Sequence, residues 1–331
     1  EKPLEHLNVF ELAYWQNKAA TLRLPDQAVI DGKSRAAQSG QTFAAINPAT
    51  GQGLANVAAC GEEDVDAAVR NARQVFEAGT WAARSPSERK QVLLRLADLI
   101  LAHREELALL DSLNMGKPVM DAYNIDVPGA AGVFRWYAES LDKLYDQVAP
   151  SAQNVLATIT REALGVVAAV VPWNFPLDMA AWKLAPALAA GNSVILKPAE
   201  QSPFSALRLA ELALEAGLPA GVLNVLPGLG EQTGKALGLH PDVDCLVFTG
   251  STEVGKYFMQ YSAQSNLKQV WLECGGKSAN LVFADCQDLD LAAQKAAFGI
   301  FFNQGEVCSA NSRLLVQRSI HDEFVERLKA Q

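Results

Sequence analysis

The strongest constraint on the fold of this chain is the regular alternation of short β-branched runs with longer helical segments after Pro150. Five runs have the composition of buried strands, and segments with helical spacing of apolar residues separate them. Strands and helices that alternate in this way indicate βαβ units, and hence an α/β fold with a parallel sheet covered by helices on both faces. The predicted strands are residues 166–170, 193–196, 222–226, 245–248 and 280–283, and the predicted helices are residues 176–190, 203–216, 231–239, 252–263 and 289–302.

The amino-terminal third is predicted to be mainly helical after two early strands. These strands, residues 28–31 and 42–46, are expected to pair with each other. A long segment with helical spacing of apolar residues follows, and a further helix is predicted over residues 125–145.

The best helix start in this region lies at Ser85. Ser85, Pro86 and Glu88 have the spacing of a capping box, in which the serine hydroxyl and the glutamate carboxylate each accept from the other residue's backbone N–H. The helix that begins here is predicted to run to Gly116, because a glycine followed by Lys-Pro is typical of a helix end.

Composition argues against several classes of partner and site. The 331 residues carry a formal net charge of −9, whereas nucleic acids and anionic membranes favour a basic protein face. No apolar run reaches the roughly 18 residues of a membrane helix, and the first residues lack the apolar core of a secretory signal. The five cysteines are scattered, without a disulfide framework or a CxxC metal pair. We therefore predict a cytoplasmic protein with no metal site.

The turns after the predicted strands are the places where chemistry is expected, because a parallel sheet binds ligands at the carboxyl ends of its strands. The first such turn is Pro172-Trp173-Asn174-Phe175-Pro176. Two prolines fix the backbone around Asn174, whose side-chain amide is a suitable donor to a developing oxyanion. By residue type alone, an asparagine that bonds its own turn is the more common arrangement.

The next turns offer polar groups to a ribose or a phosphate. Glu200 follows Lys197 at a strand end, where an acid commonly accepts from ribose hydroxyls; an ordinary ion pair is the alternative. Residues 228–234 are a weak match to a glycine-rich phosphate loop. Ser251, after Gly250, opens a helix whose free N–H groups could face a phosphate, or it simply caps that helix.

Two residues late in the chain have the chemistry of a base and of a nucleophile. Glu273 lies between an apolar segment and two glycines, so we expect a tight, partly desolvated bend that favours its use as a general base. Cys308 follows a polar loop that contains Gly305. A charge-paired structural glutamate and a buried apolar cysteine are the alternatives, and most free cysteines are of the buried kind.

Taken together, these segments resemble the aldehyde dehydrogenase superfamily. The resemblance runs from about residue 47 to the last residues, and it is strongest to bacterial enzymes that act on aldehydes from polyamine breakdown, such as γ-glutamylaminobutyraldehyde and guanidinobutyraldehyde dehydrogenases. It implies a Rossmann-like sheet followed by the start of a second α/β domain. The shared segments, in family order, are PWNFP at 172–176, KPAEQSP at 197–203, FTGST at 248–252, LECGGKS at 272–278 and FNQGEVCSA at 302–310.

The resemblance implies a role for each of the singled-out residues. Cys308 would be the nucleophile, Asn174 and the Cys308 backbone N–H would form the oxyanion hole, and Glu273 would activate water. The cofactor would be NAD, with NADP as an alternative, and Glu200 favours NAD because its charge would meet a 2′-phosphate. The positions implied to bind the cofactor are Val171, Trp173, Lys197, Glu200, Gly230, Gly250, Ser251, Val254 and Gly275.

The implied chemistry is consistent with these residue types. A thiolate would add to the aldehyde, hydride would leave the tetrahedral carbon, and water would cleave the resulting thioester. Family members that pass the acyl group to coenzyme A lack the glutamate, so the presence of Glu273 implies a free carboxylic acid as the product.

A stripe of residues at the start of the helix after the first turn is implied to line the tunnel to the cysteine. Phe175, Asp178, Met179 and Trp182 lie at i, i+3, i+4 and i+7. The family commonly has an aliphatic residue where this chain has Asp178.

Our hypothesis is that Asp178, together with Asp126 from the preceding helix, attracts the cationic end of an amino- or guanidino-aldehyde. Trp136 and Tyr137 are further candidates for the tunnel wall. The alternative is that Asp178 interacts only with the dipole of its own helix.

The resemblance also implies a domain organisation. Residues 1–140 and 162–274 would form the dinucleotide-binding domain, 141–161 a β-hairpin oligomerisation arm, and 275–331 the first part of the catalytic domain. Because family members are usually longer, a truncated chain is expected, and a full-length form is expected to be a homodimer or a homotetramer.

Three classes of function are compatible with the sequence. The leading one is NAD-dependent oxidation of an aldehyde to an acid, either selective for amino-aldehydes or broad for aliphatic ones. A cysteine hydrolase of esters or thioesters that uses no redox cofactor is the second. A non-catalytic relative, or an inactive truncated form, is the third.

Overall fold

The computed structural model describes residues 11–331, and the chain divides into two compact units. The first unit comprises the described residues up to Thr249 together with Lys256–Leu272, and the second comprises Gly250–Gly255 and Glu273–Gln331. The helices are α1 (Leu12–Thr21), α2 (Glu62–Glu77), α3 (Pro86–Ala102), α4 (Arg104–Met115), α5 (Val119–Asp121), α6 (Val127–Ser140), α7 (Pro176–Ala189), α8 (Phe204–Glu215), α9 (Lys235–Leu239), α10 (Thr252–Gln264), α11 (Leu289–Phe301) and α12 (His321–Lys329).

Thirteen strands lie within the described residues. They are β1 (Ala28–Ile30), β2 (Lys33–Arg35), β3 (Thr42–Ile46), β4 (Gly53–Ala58), β5 (Gln147–Ala149), β6 (Ala157–Ile159), β7 (Val166–Val170), β8 (Ser193–Lys197), β9 (Leu223–Val225), β10 (Cys245–Gly250), β11 (Gln269–Cys274), β12 (Ala279–Val282) and β13 (Arg313–Val316).

A seven-stranded sheet in the order β11-β10-β7-β8-β9-β1-β2 forms the centre of the fold. β7 pairs in parallel with β8 and with β10, and β8 pairs in parallel with β9. β1 joins this sheet antiparallel to β9. The predicted α/β fold with a mostly parallel sheet is therefore confirmed.

Helices cover both faces of the sheet, as the side chains of β7 show. Val166 and Ala168 pack into one hydrophobic core with α2, whereas Val167 and Ala169 pack into a larger core with α3, α6, α7 and α8. Successive residues of a strand point to opposite faces, so a strand that is apolar throughout requires two cores. All five residues of β7 are buried.

The predicted pairing of the two early strands is wrong. The early strands do not pair with each other: β1 pairs with β2, and β3 pairs with β4. Each forms a local hairpin, and Asp31 and Gly32 both adopt the positive φ that a tight turn between β1 and β2 requires. The predicted strand at 280–283 corresponds to β12, which pairs with β13 in a separate two-stranded sheet. Apolar patterning identifies a strand but does not identify its partner.

Helix boundaries differ from the predictions at two places. The helix that begins after Ser85 ends at Ala102, and a second helix continues from Arg104 until Gly116, which has φ 80° and ends it as predicted. The helix predicted over 125–145 is α6, which is preceded by one π-helical turn at Ala122–Asp126 and ends at Ser140.

The capping box at Ser85 is confirmed, and it carries a prediction for stability. Glu88 N donates to Ser85 Oγ at 3.3 Å, and Ser85 N donates to Glu88 Oε2 at 2.8 Å. Ser85→Ala should lower the free energy of unfolding by about 1 kcal/mol, because a helix N–H loses its acceptor. Ser87→Ala, an exposed serine of the same turn, is the control. Equal effects of the two substitutions on urea unfolding would contradict the capping role.

Candidate active site

In the first unit, β7, β8 and β9 are parallel, so the turns that follow them all lie at the carboxyl end of the sheet. Val171, just beyond β7, donates its backbone N–H to the carbonyl of Lys197 at 3.1 Å. The turn that carries Asn174 is held by Ser202, whose hydroxyl donates to the Trp173 carbonyl at 3.2 Å. This carboxyl end of the sheet, where α/β folds bind ligands, therefore holds four of the positions predicted from the sequence: Val171, Trp173, Asn174 and Lys197.

Lys197 and Glu200 form an ion pair at the end of β8. The Nζ–Oε2 distance is 3.1 Å, and the lysine side chain is only 3% exposed while the glutamate side chain is 34% exposed. Burial lowers the pKa of Lys197, and Glu200 opposes that shift. The ion-pair alternative is thus correct as a description of the contact, but the carboxylate of Glu200 remains accessible to a further partner.

Two glycines of the 228–234 turn differ in why the structure has glycine at that position. A side chain at Gly228 would overlap Thr233 Oγ1 and the backbone of Cys60, so packing alone requires glycine there. At Gly230, no atom lies within 4 Å of the place where a Cβ would be. Open space beside an exposed backbone of this kind fits the close approach of a phosphate group, as the resemblance implies for Gly230.

In the second unit, Ser251 caps its helix. Its hydroxyl oxygen accepts from Val254 N at 3.2 Å, and its carbonyl accepts from Gly255 N at 3.0 Å. The capping interpretation is confirmed, and a contact of Gly250, Ser251 or Val254 with a cofactor stays a prediction.

Glu273 lies on β11 and is exposed. The expected tight, partly desolvated bend is therefore wrong. β11 is an edge strand of its sheet, and its apolar side chains are exposed, with Trp271 at 64% exposure. The chain leaves the strand at Gly275, where a Cβ would have no neighbour within 4 Å.

Cys308 is exposed on a loop of the second unit, so the alternative of a buried apolar cysteine is wrong. Gly276 N donates to the Cys308 carbonyl at 3.1 Å, which joins the segment after Glu273 to the segment of the cysteine. Of the other thiols, Cys60 and Cys245 are buried, and Cys274 is exposed.

The loop before Cys308 has a strained backbone. Asn303, Gln304 and Gly305 adopt φ values of 52°, 56° and 80° in succession. A non-glycine residue in this region costs about 1–2 kcal/mol, and such strain clusters at functional sites. Asn303 is buried, and its carbonyl accepts from Glu306 N at 2.9 Å, which fixes the tight bend.

The predicted substrate stripe of α7 faces α6 within the first unit. Gly129 of α6 stands against Asp178 of α7: a Cβ at Gly129 would lie 3.1 Å from Asp178 Oδ1, so glycine leaves room for that carboxyl group. Further along the two helices, a cavity of about 220 Å³ is lined by Val133, Trp136, Tyr137 and Trp182. We call this surface, from Gly129 and Asp178 to the three aromatic residues, the α6–α7 groove.

The placement of the other stripe residues agrees with the sequence pattern. Trp182 is 53% exposed, and Phe175, Asp178 and Met179 are half-buried. Trp136 and Tyr137 line the groove, and their place in the wall of a substrate tunnel stays a prediction. Gly129 escaped the sequence analysis, although a glycine in the interior of a helix was the available signal.

Asp126 is fully buried, and its partner is a residue of this chain. Lys117 Nζ forms an ion pair with Asp126 Oδ2, and the two side chains are 0% and 1% exposed. The same Nζ lies 3.9 Å from the centroid of the Phe175 ring, which places a cation on the face of the ring. The hypothesis that Asp126 holds a substrate cation directly therefore needs correction, since its carboxylate already holds Lys117.

Three carboxyl groups surround this single lysine. Asp111 Oδ2 accepts from Leu177 N at 3.4 Å. Burial, with a smaller contribution from Asp126, raises the pKa of Asp111 to about 7 and that of Asp178 to about 8. The Oδ1 atoms of Asp111, Asp126 and Asp178 are all buried without a hydrogen-bond partner.

Residues 11–331 contain neither a cluster of metal-binding side chains nor a helix that could span a membrane. No group of three or more histidine, cysteine or acidic side chains could hold a metal ion there. Nor does any helix of that range combine the length and the apolarity of a membrane span.

Comparison with known proteins identifies the family. A profile described as "Aldehyde dehydrogenase family" matches residues 35–331. The chain is 54% identical over 325 residues to the NADP/NAD-dependent aldehyde dehydrogenase PuuC of Escherichia coli K12, covering 98% of this chain and 66% of that protein. It is also 54% identical over 313 residues to an aminoacetaldehyde dehydrogenase of Pseudomonas aeruginosa, covering 95% of this chain and 63% of that protein.

A solved structure agrees with these relatives. The crystal structure of a γ-glutamyl-γ-aminobutyraldehyde dehydrogenase from Burkholderia cenocepacia J2315 superposes with a TM-score of 0.94 at 59% identity, covering 96% of this chain and 64% of that one. The chain thus spans just under two thirds of the length of these proteins. It belongs to the aldehyde dehydrogenase family.

Proposed function

We propose that the protein oxidises an aldehyde to a carboxylic acid through a thioester on Cys308. The observation that supports this most directly is the exposed Cys308 at the end of a strained loop, on a segment hydrogen-bonded to the one that follows Glu273. Backbone strain of this kind clusters at functional sites, and the thiol that follows the strained loop is exposed.

In the proposed reaction, the Cys308 thiolate forms a bond to the aldehyde carbon. The carbonyl oxygen becomes an oxyanion, which accepts hydrogen bonds from the Asn174 amide and the Cys308 backbone N–H. NAD, held by residues such as Lys197 and Glu200 of the first unit, would supply the acceptor for the hydride that leaves when the oxyanion collapses. Glu273 then takes a proton from water, the water oxygen bonds to the thioester carbon, and the thiolate leaves with the acid as product.

The residues at the carboxyl end of the sheet in the first unit are suited to bind a nicotinamide dinucleotide. The accessible Glu200 carboxylate can accept from ribose hydroxyls, and the open space at Gly230 admits a phosphate. NAD is the proposed cofactor because Glu200 would repel a 2′-phosphate. NADP remains compatible, since Lys197 offsets part of that charge.

For the substrate, we propose an aldehyde with a cationic or amide-bearing far end, of the amino, guanidino or γ-glutamylamino kind. The observation that supports this class is Asp178 Oδ1, a buried carboxyl oxygen without a hydrogen-bond partner in the α6–α7 groove. Trp136, Tyr137 and Trp182 supply aromatic faces to the same groove, and such faces attract organic cations. An aliphatic aldehyde would leave the carboxyl group unsatisfied.

Asp178→Leu tests the substrate class. It should lower kcat/KM for a cationic aldehyde by about 10- to 100-fold, the equivalent of a lost charged hydrogen bond, and change kcat/KM for a neutral aldehyde of equal length by less than about threefold. Reduced-nicotinamide absorbance gives the rates. Glu139→Leu, which removes an exposed acid of the same helix pair, is the control. Equal changes for both aldehydes would show that Asp178 does not select the cation.

The hairpin of β5 and β6 is proposed as the assembly element of a homodimer or homotetramer. The segment around it exposes Leu144, Tyr145, Val148, Leu156 and Ile159, each at least half exposed. Exposed apolar patches of this kind mark interaction sites.

A further inference from the structure

The ionisable side chains next to the α6–α7 groove include more acids than bases. Asp178 of α7 is faced by Asp126 of the π-helical turn before α6, by Lys117 of the turn after α4, and by Asp111 of α4. These four groups comprise three acids and one base. Each acid leaves its Oδ1 atom buried without a hydrogen-bond partner.

Lys117, the one cation of this cluster, is already paired with Asp126. Lys117 contacts both Asp126 Oδ2 and the face of Phe175, and its side chain has no exposed surface. Asp111 Oδ2 accepts a hydrogen bond from Leu177 N. The Asp178 atom that faces Gly129, Oδ1, is buried without a hydrogen-bond partner, and no ion pair of Asp178 is found among the described residues.

Buried carboxylates without a cation are costly, so a cluster of this composition keeps protons. Two carboxyl groups beyond the Lys117–Asp126 pair cannot both ionise cheaply at close range. Asp178 is the one partly exposed acid of the three and lies one helical turn before Trp182 of the groove, whereas Asp111 and Asp126 are almost completely buried. A cation that enters the groove therefore meets Asp178 first.

We propose that an alkylammonium or guanidinium group binds in the groove as Asp178 gives up its proton to solvent, so that recognition of the cation releases one proton. This inference rests on the substrate class proposed above and adds that binding of the cation is coupled to release of a proton. The atoms balance simply: the carboxylic acid loses its proton, and the resulting carboxylate accepts N–H bonds from the entering cation. The substrate itself supplies the missing charge of the cluster.

The coupling has a defined dependence on pH. The pKa of Asp178 is raised to about 8 by burial and by Asp126, so the free protein holds the neutral acid at pH 7. Below pH 8, binding must displace that proton, and the affinity for a cation rises about tenfold for each pH unit. Above pH 8 the carboxylate is already present, and the slope disappears. A neutral ligand gains nothing from the ionised form.

The test uses two unreactive probes of equal length, 4-aminobutanol as the cation and 1,4-butanediol as the neutral control. Inhibition of aldehyde oxidation gives their affinities between pH 6 and pH 9, and calorimetry near pH 7 in two buffers of different ionisation enthalpy gives the protons released. We expect about one proton released for 4-aminobutanol and none for 1,4-butanediol. The affinity for 4-aminobutanol should rise at least about tenfold between pH 6 and pH 7.5.

Variants assign the proton. Asp178→Asn, which keeps the shape of the neutral acid, should abolish both the proton release and the pH slope, whereas Asp111→Asn should keep them. Tighter binding of 4-aminobutanol than of 1,4-butanediol with no proton release would overturn the coupling and leave the substrate class intact. Equal affinities for the two probes at every pH would overturn both.

Discussion

Replacing Cys308 by serine is expected to lower kcat for aldehyde oxidation by roughly a thousandfold or more. A hydroxyl in the same place is a far weaker nucleophile at neutral pH, because the thiolate is accessible and an alkoxide is not. Removal of the nucleophile from a covalent mechanism usually leaves only the residual rate that binding and the oxyanion hole supply. Stopped-flow or steady-state formation of the reduced nicotinamide measures the loss.

The matched control for this substitution is Cys274→Ser. Cys274 is also exposed, and it lies next to Glu273 in the second unit. It should retain kcat within about twofold, since no role in the reaction is proposed for it. If the Cys308→Ser protein kept a tenth or more of the wild-type kcat, a covalent role for Cys308 would be untenable.

The largest expected effect on stability comes from Lys117→Met. This substitution leaves Asp126 buried without a cation, and breaking a buried pair from one side costs about 3–5 kcal/mol. Urea unfolding should show the loss. Lys33→Met is the control. The Lys33 side chain is 68% exposed, and its Nζ lies 3.6 Å from Asp31 Oδ2, so its loss should lower the free energy of unfolding by less than about 1 kcal/mol.

The destabilisation should depend on pH in a defined direction. Burial already raises the pKa of Asp126, and removal of Lys117 raises it further. A carboxyl group of raised pKa is stable in its neutral form at low pH and becomes costly as the pH rises through that pKa. The penalty of Lys117→Met should therefore be smaller at pH 5 than at pH 8. A second substitution, Asp126→Leu, should recover stability, and failure to recover would show that Lys117 acts through packing alone.

The local features of the fold could be predicted from the sequence. The strand at 166–170, the helix that starts at Pro176 and the cap at Ser85 all depend on near neighbours in the chain, and the structure has them as expected. Pairing of strands depends on distant residues. The expected pairing of β1 with β3 is wrong because each of them forms a hairpin with the strand that follows it in the chain.

The candidate site shows the same division. Asn174, Glu273 and Cys308 could be singled out because each follows a recognisable strand or loop. Lys117 could not, because Gly-Lys-Pro has the pattern of a helix end, and only the folded chain shows its ion pair nine residues away. Gly129 gained a meaning only when Asp178 was found against it.

The environment of Glu273 marks another limit of sequence patterning. An apolar segment followed by two glycines suggested a covered bend, but the segment is an edge strand with exposed side chains. Alternation of apolar residues does not reveal whether a strand is central or at an edge. The strain at Asn303–Gly305 is likewise visible only in backbone angles.

The proposal of a thioester on Cys308 is tested most directly by trapping it in a Glu273→Gln variant. This variant should form the thioester but hydrolyse it slowly, because the amide cannot take a proton from water. Mixing it with an aldehyde and NAD should give a burst of about one reduced nicotinamide per active site, and mass spectrometry should find the acyl group on the peptide that contains Cys308. Continuous turnover with no acyl group on that peptide, or an acyl group on another cysteine, would contradict the proposed mechanism.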